Sequence, residues 1–225
     1  PDGHTLAIIA VTESPTLKLW DIRAGKSLHT LKMENPSRPF YDLMFSPDWI
    51  TLAWISGGTV QMIDVKSGSK GPTLTHEDSL SEWDFSPDGT TFVTRTAETI
   101  AGNLAGVVKI WDTESGIARH TITHSDFVSA MSFSPDWQHV VTATGFGQIR
   151  IWETGNGQET ALLSGQNDTI WALAFSTDGA MVASTSASGR VHLWDAHSGK
   201  ALATLSGPDK TLIDVSFSSN GDWIA

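Results

Sequence analysis

The chain has 225 residues, 40% of them hydrophobic, enough for one large domain or two small ones. Twenty-five acids against fourteen bases give a net charge of −11, and the Lys and Arg residues are scattered, which argues against a surface built to neutralise phosphates and so against nucleic acid. Cysteine is absent, which removes disulfide and thiolate chemistry, and the longest wholly apolar stretch, Leu6 to Val11, is far too short to span a bilayer. No charged start leads into an apolar signal region, so the expectation is a soluble, cytoplasmic protein with no membrane partner.

Two phrases alternate along the chain. "LKLWD" stands at 17–21, "FSPDW" at 45–49, "QMIDV" at 61–65 with Ile63 in place of tryptophan, and "FSPDG" at 85–89. "VKIWDTESG" follows at 108–116, "FSPDW" at 133–137, "IRIWETGNG" at 149–157, "FSTDG" at 175–179, "VHLWDAHSG" at 191–199 and "FSSNG" at 217–221. The leading phenylalanines are 40, 48, 42 and 42 residues apart, and Trp111, Trp152 and Trp194 are 41 and 42 apart. Two independent markers therefore set one period, and the whole chain is repeat.

Within a period the segments are short, alternating and bounded by turn residues, which predicts antiparallel strands. Residues 169–225 show it: "TIWALAFS", a Thr-Asp-Gly turn, "AMVASTS", a Ser-Gly turn, "RVHLWD", a His-Ser-Gly turn and "ALATLS". Each period supplies four strands. Both faces of such a sheet carry apolar side chains, so each needs a neighbour on both sides; copies stacked side by side as the blades of a β-propeller satisfy this. The recurring tryptophans are expected to pack between blades, with Lys18, Lys109, Arg150 or His192 laid along the indole from two positions earlier.

Ser-Pro-Asp-Gly turns combined with Trp-Asp strand ends at constant period resemble the WD-repeat propellers, over essentially the whole chain. The resemblance implies an all-β fold of four-stranded antiparallel blades, with strands a to d in order from the centre outward. The pieces fall at 1–33 (lacking strand a), 39–75, 80–123, 128–164, 169–206 and 211–225. About 5.4 periods are present. Rings of this family commonly hold seven blades, so the expectation is about five blades from a longer array.

The family also implies a buried network of a His before strand a, a Ser or Thr on strand b, an Asp in the b–c turn and the strand c Trp. Position by position, His76, Thr94 and Trp111 match in one blade, where Glu98 could stand for the Asp. His124, Thr142 and Trp152 match in the next, with Phe146 at the Asp position. Ser184 and Trp194 match in the blade after, where Gln166 and Ser188 occupy the other two places. A structural role is expected for these residues, with no metal and no cofactor.

Family members commonly recognise proteins through the top face, where strand a begins and the b–c turns lie. The matching positions are Pro39, Tyr41, Ser79, Ser81, Phe127, Ser129, Thr169, Trp171, Thr211 and Ile213. Trp171 leads as a binding anchor, with Phe127 and Tyr41 behind it, because large aromatics dominate binding hot spots. The six extra residues in the 48-residue interval fall in "AETIAGNLAG" at 97–106, expected as a mobile loop. Trp49 and Trp137 replace the a–b turn glycine on the opposite face and are expected to pack within their loops.

No phosphate-binding glycine loop, no His-Glu-x-x-His and no nucleophile elbow appears. The leading expectation is thus a non-enzymatic scaffold that binds a protein or peptide through its top face. A sensor arm of a larger signalling ATPase or kinase, packing against other domains of the same parent chain, is the alternative. A propeller enzyme ranks third.

Overall fold

The computed structural model describes residues 3–10, 15–32, 41–165, 168–206 and 211–225, with Tyr41 described by its backbone alone. Among these residues there are strands and turns but no helix, and so none long and apolar enough to cross a membrane.

Five antiparallel sheets follow one another along the chain. The first has three strands, β1 (Thr5–Ala10), β2 (Thr16–Asp21) and β3 (Lys26–Lys32). The second holds β4 (Tyr41–Phe45), β5 (Thr51–Ser56), β6 (Thr59–Asp64) and β7 (Lys70–Thr75). The third holds β8 (Leu80–Phe85), β9 (Thr91–Ile100), β10 (Asn103–Asp112) and β11 (Ala118–His124). The fourth runs β12 (Val128–Phe133), β13 (His139–Thr144), β14 (Ile149–Glu153) and β15 (Glu159–Leu163), and the fifth β16 (Ile170–Phe175), β17 (Met181–Ser186), β18 (Arg190–Asp195) and β19 (Ala201–Ser206). Each sheet is a meander in sequence order, and we number them as blades one to five. Past them, Phe217 and Ile224 form a single antiparallel bridge.

The repeated phrases are turn chemistry. In "FSPD" the buried serine hydroxyl donates to the Asp Oδ1 two residues on and accepts from the backbone N–H five residues on. The Ser46–Asp48, Ser86–Asp88, Ser134–Asp136 and Ser176–Asp178 contacts are all 2.6 Å. In "WDxxSG" the Asp carboxylate accepts from the serine N–H and hydroxyl, as at Asp112 with Ser115 and Asp195 with Ser198. These bonds, with Arg119, hold Asp112 down at about 2. The closing glycine has φ near +70° and its Cα lies against the preceding blade: a Cβ on Gly116 would stand 2.3 Å from Pro72. A Cβ there is excluded twice over, by φ and by space.

Trp49 (φ 62°) and Trp137 (φ 57°) occupy the left-handed turn position that Gly89 and Gly179 fill elsewhere. Each indole stacks on the phenylalanine that opens its own turn, Trp49 on Phe45 at 4.5 Å and Trp137 on Phe133 at 4.0 Å. The stack offsets the backbone strain of about 1 kcal/mol, and both tryptophans pack within their loops as expected.

Contacts divide the chain into two compact units, residues 1–96 with 109–119 and residues 97–108 with 120–225. In the first unit, Leu17, Leu19, Leu52, Trp54 and Ile63 bury one face of the second blade against the first. Ala53, Ile55, Val60 and Met62 bury its other face with Phe85, Phe92 and Trp111 of the third. In the second unit, Val141, Ala143, Ile149 and Ile151 of the fourth blade pack with Ile170, Val182 and Trp194 of the fifth. The two-sided burial is what the doubly apolar strands require.

The second blade reaches the same end by a different distribution of volume. Trp54 stands on strand b where other blades have Thr94, Thr142 or Ser184, and Ile63 stands where they have tryptophan on strand c. Both are fully buried in one cluster. The indole has moved one strand inward.

At 97–106 the expectation of a mobile loop is corrected. β9 and β10 each run ten residues and meet at Ala101 (φ 51°) and Gly102 (φ 83°), a two-residue reversal with both residues in the left-handed region. This is the turn that matches strand twist, so the extra residues lengthen a β-hairpin.

Candidate protein-docking site

The buried network begins with the strand c tryptophan. In the third blade Trp111 Nε1 donates to Thr94 Oγ1 at 2.8 Å, and Thr94 Oγ1 lies 2.6 Å from His76 Nε2. An indole nitrogen can only donate, so the threonine oxygen accepts from it and its own proton is free for the imidazole. The His76 ring also meets Trp111 edge-on, with centroids 5.6 Å apart.

In the fourth blade Trp152 Nε1 donates to Thr142 Oγ1 at 2.9 Å, and His124 sits edge-on to Trp152 at 5.5 Å. There the network stops. His124 Nε2 is buried without a hydrogen-bond partner among the described residues, and burial, helped by the charge of Arg150, pulls the ring down to about 4. In the fifth blade Trp194 donates to Ser184 at 3.0 Å, and Gln166 lies outside the described residues. The Trp20 and Trp54 indole nitrogens are buried without partners: Ile8 stands at the strand b acceptor position of the first blade, and Trp54 itself occupies it in the second. Of the expected indole–cation contacts, Lys109 Nζ lies 5.5 Å from the Trp111 ring and His192 stacks on Trp194 at 5.8 Å.

The start of strand a is shaped by a bulge. In the third, fourth and fifth blades the a–b register skips Ser81, Ser129 and Trp171, whereas the second blade pairs without a break from Tyr41. Bulges re-aim side chains. Ser81 and Ser129 turn back and donate to Arg95 O and Ala143 O. Trp171 has no such bond to make and stands 49% exposed. Thr169 and Thr211 donate to the b–c turns of their preceding blades, at Gly145 O and Ala187 O. These hydroxyls are committed to the scaffold. Ile213, equivalent to Trp171 in the next piece, is exposed. The side chains of Tyr41 and Pro39 lie outside the described residues.

Around the fourth blade three connections meet. The Phe127 ring lies against Gly145, where a Cβ would stand 2.4 Å from two ring carbons, and Gly147 approaches Asp168 O as closely. Between the two glycines Phe146 is 79% exposed, beside Phe127 at 40%. Asp126 Oδ2, also next to Gly145, is buried with no partner. The sequence marks Phe146 only as a missing Asp; its value as a surface anchor lies in the flanking glycines, which leave no other side chain to cover it.

Carboxylates with raised pKa occur on β8. Burial pushes Glu82 up against the pull of Arg95, 3.0 Å away, and burial also raises Asp84. Alanines stand at the Glu82 position in the next two blades, Ala130 and Ala172, so this is a local ion pair and does not recur. No cluster of three metal-ligating side chains forms among the described residues.

The successive antiparallel blades define a class by fold, the β-propeller. Residues 157–195 match the family model described as WD domain, G-beta repeat. Over 82 residues it is 33% identical to "Ribosome biogenesis protein YTM1" of Scheffersomyces stipitis, an alignment that takes in 30% of this chain and 18% of the relative. The crystal structure of the computationally designed Ika8 protein superposes with a TM-score of 0.73 at 24% identity, over 98% of this chain and 64% of that one. The chain thus spans under a fifth of the relative's length and 64% of the designed protein's.

Proposed function

We propose that the chain is a non-enzymatic docking platform that binds a protein or peptide through the top of its fourth and fifth blades, with Phe146, Phe127 and Trp171 as anchors. One observation carries the reading. Phe146 stands where the family pattern has an Asp that joins the His network, and it puts a phenyl ring, 79% exposed, in water. A side chain kept against its own stability cost is explained by a partner that covers it. Trp171 adds an amphipathic ring at the rim.

The net charge and the exposed aromatics favour a protein partner over nucleic acid. A role in assembling a larger particle, of the kind the relative's name describes, is consistent with a platform of this sort. The test is photo-crosslinking in cells that make the protein, with a benzophenone amino acid at position 146 or at position 162 on the outer strand. Capture of a discrete protein from position 146 and not from position 162 supports the reading; equal or absent capture from both sinks it.

A further inference from the structure

The second unit holds a cavity of about 670 Å³ at the other end of the same two blades, where the a–b turns lie. Its size suits a peptide or small ligand. Pro135, Ile151 and Phe175 give it apolar walls, and Asp136 and Asp178, one from each a–b turn, supply its carboxylates. Neither Lys nor Arg is among the residues that line it; His139 and His197 are.

The two carboxylates are fixed before any ligand arrives. Asp136 Oδ1 accepts from Ser134 Oγ at 2.6 Å and Gln138 N at 3.0 Å. Asp178 Oδ1 accepts from Ser176 Oγ at 2.6 Å and Ala180 N at 3.0 Å. These bonds hold both acids below the usual carboxylate range, and so ionised. In each case Oδ1 is taken up by the turn, while no bond to Oδ2 forms among the described residues. Rigid acceptors lose little entropy on binding.

We propose that this groove between the fourth and fifth blades is a second docking site, for an extended peptide that lays a lysine or arginine side chain along Phe175 and Pro135 toward the carboxylates of Asp136 and Asp178. The chemistry selects that occupant. A long basic side chain has an apolar stem and a cationic head, which matches apolar walls next to paired acids, and Phe175 offers the cation a ring face. An anion would meet two carboxylates. A second copy of a chain with net charge −11 is disfavoured by like charge. Thr160 lines the groove from β15, the outermost strand, where the c–d register skips it, leaving an edge for an extended backbone.

The experiment is selection of a random heptapeptide phage library on the 225-residue chain, each selected peptide then being titrated against three variants. Asp136→Asn with Asp178→Asn removes the charge but keeps the Oδ1 acceptors of the turns. Thr160→Arg places a competing cation in the groove without touching either turn. Phe146→Ser sorts out ligands of the top face. The expected result is a group of peptides with Lys or Arg beside an apolar residue, weakened at least tenfold by both the Asn pair and Thr160→Arg in proteins of unchanged melting temperature. Selection that yields only Phe146-dependent peptides, groove-dependent peptides without a basic residue, or no binders at all overturns the proposal. If the Asn pair lowers the melting temperature, Thr160→Arg alone decides.

Discussion

The third and fourth blades use the same three residue types and end up in different states. His76, Thr94 and Trp111 form a continuous hydrogen-bonded chain, whereas His124 Nε2 has no partner although Thr142 still accepts from Trp152. The b–c connections of the two blades differ as well. In the third blade it is a long hairpin whose Glu98 is buried; in the fourth it is a short turn whose central residue, Phe146, points to solvent. A repeat protein can spare one blade's network because its neighbours' interfaces still hold. The blade whose network is broken is the one beside which Phe127 and Phe146 are exposed.

The largest effects should come from the tryptophans that both kinds of blade share. Trp194→Ala removes a fully buried indole from the interface of the fourth and fifth blades and should cost about 3–5 kcal/mol. Urea denaturation checks this, and a loss under 1 kcal/mol would mean that the indole is not central to the interface. The displaced indole of the second blade gives a sharper test. Trp54→Thr alone leaves a void and Ile63→Trp alone overpacks, each costing roughly 2–4 kcal/mol. The double variant restores the usual arrangement and should recover at least about 2 kcal/mol of the sum. Additive losses would refute the exchange of volume.

The unpaired histidine gives an effect of intermediate size. His124 titrates at about 4 in the folded chain against an ordinary 6.5, so the unfolded chain binds the proton first. Stability is unaffected well above pH 6.5, declines as pH falls through the interval, and has lost about 3 kcal/mol by pH 4. In His124→Leu that part of the pH dependence should vanish; an unchanged profile would show that His124 is not its source. The smallest stability effects belong to the surface. Trp171→Ala and Phe127→Ala should each shift stability by less than about 1 kcal/mol while weakening a captured partner severalfold. A large drop in melting temperature for Trp171→Ala would mark it as a packing residue.

Much of the fold was legible because its signals are local. "FSPD" and "WDxxSG" specify their turns through bonds spanning two to five residues, so each copy announces itself. The long hairpin was hidden because "AETI" and "NLAG" are small and mixed, and only the Ala101–Gly102 reversal turns them into strands. The fate of the second blade's tryptophan was hidden for another reason: Ile63 was visible as a substitution, but that Trp54 fills the same layer is a fact of packing between sheets. At the proposed docking site the positions of Trp171 and Phe127 follow from the repeat, whereas the exposure of Phe146 depends on the close approach of Gly145 and Gly147 to neighbouring connections.

The most direct test of the central claim is a pair of numbers on one variant, Phe146→Asp: its melting temperature and its affinity for the partner crosslinked at position 146. An Asp there gives His124 the partner the family pattern provides. The account predicts a melting temperature higher by a few degrees, from roughly 1 kcal/mol of added stability, together with an affinity at least tenfold weaker. A variant that melts no higher and binds as tightly as the parent would contradict it.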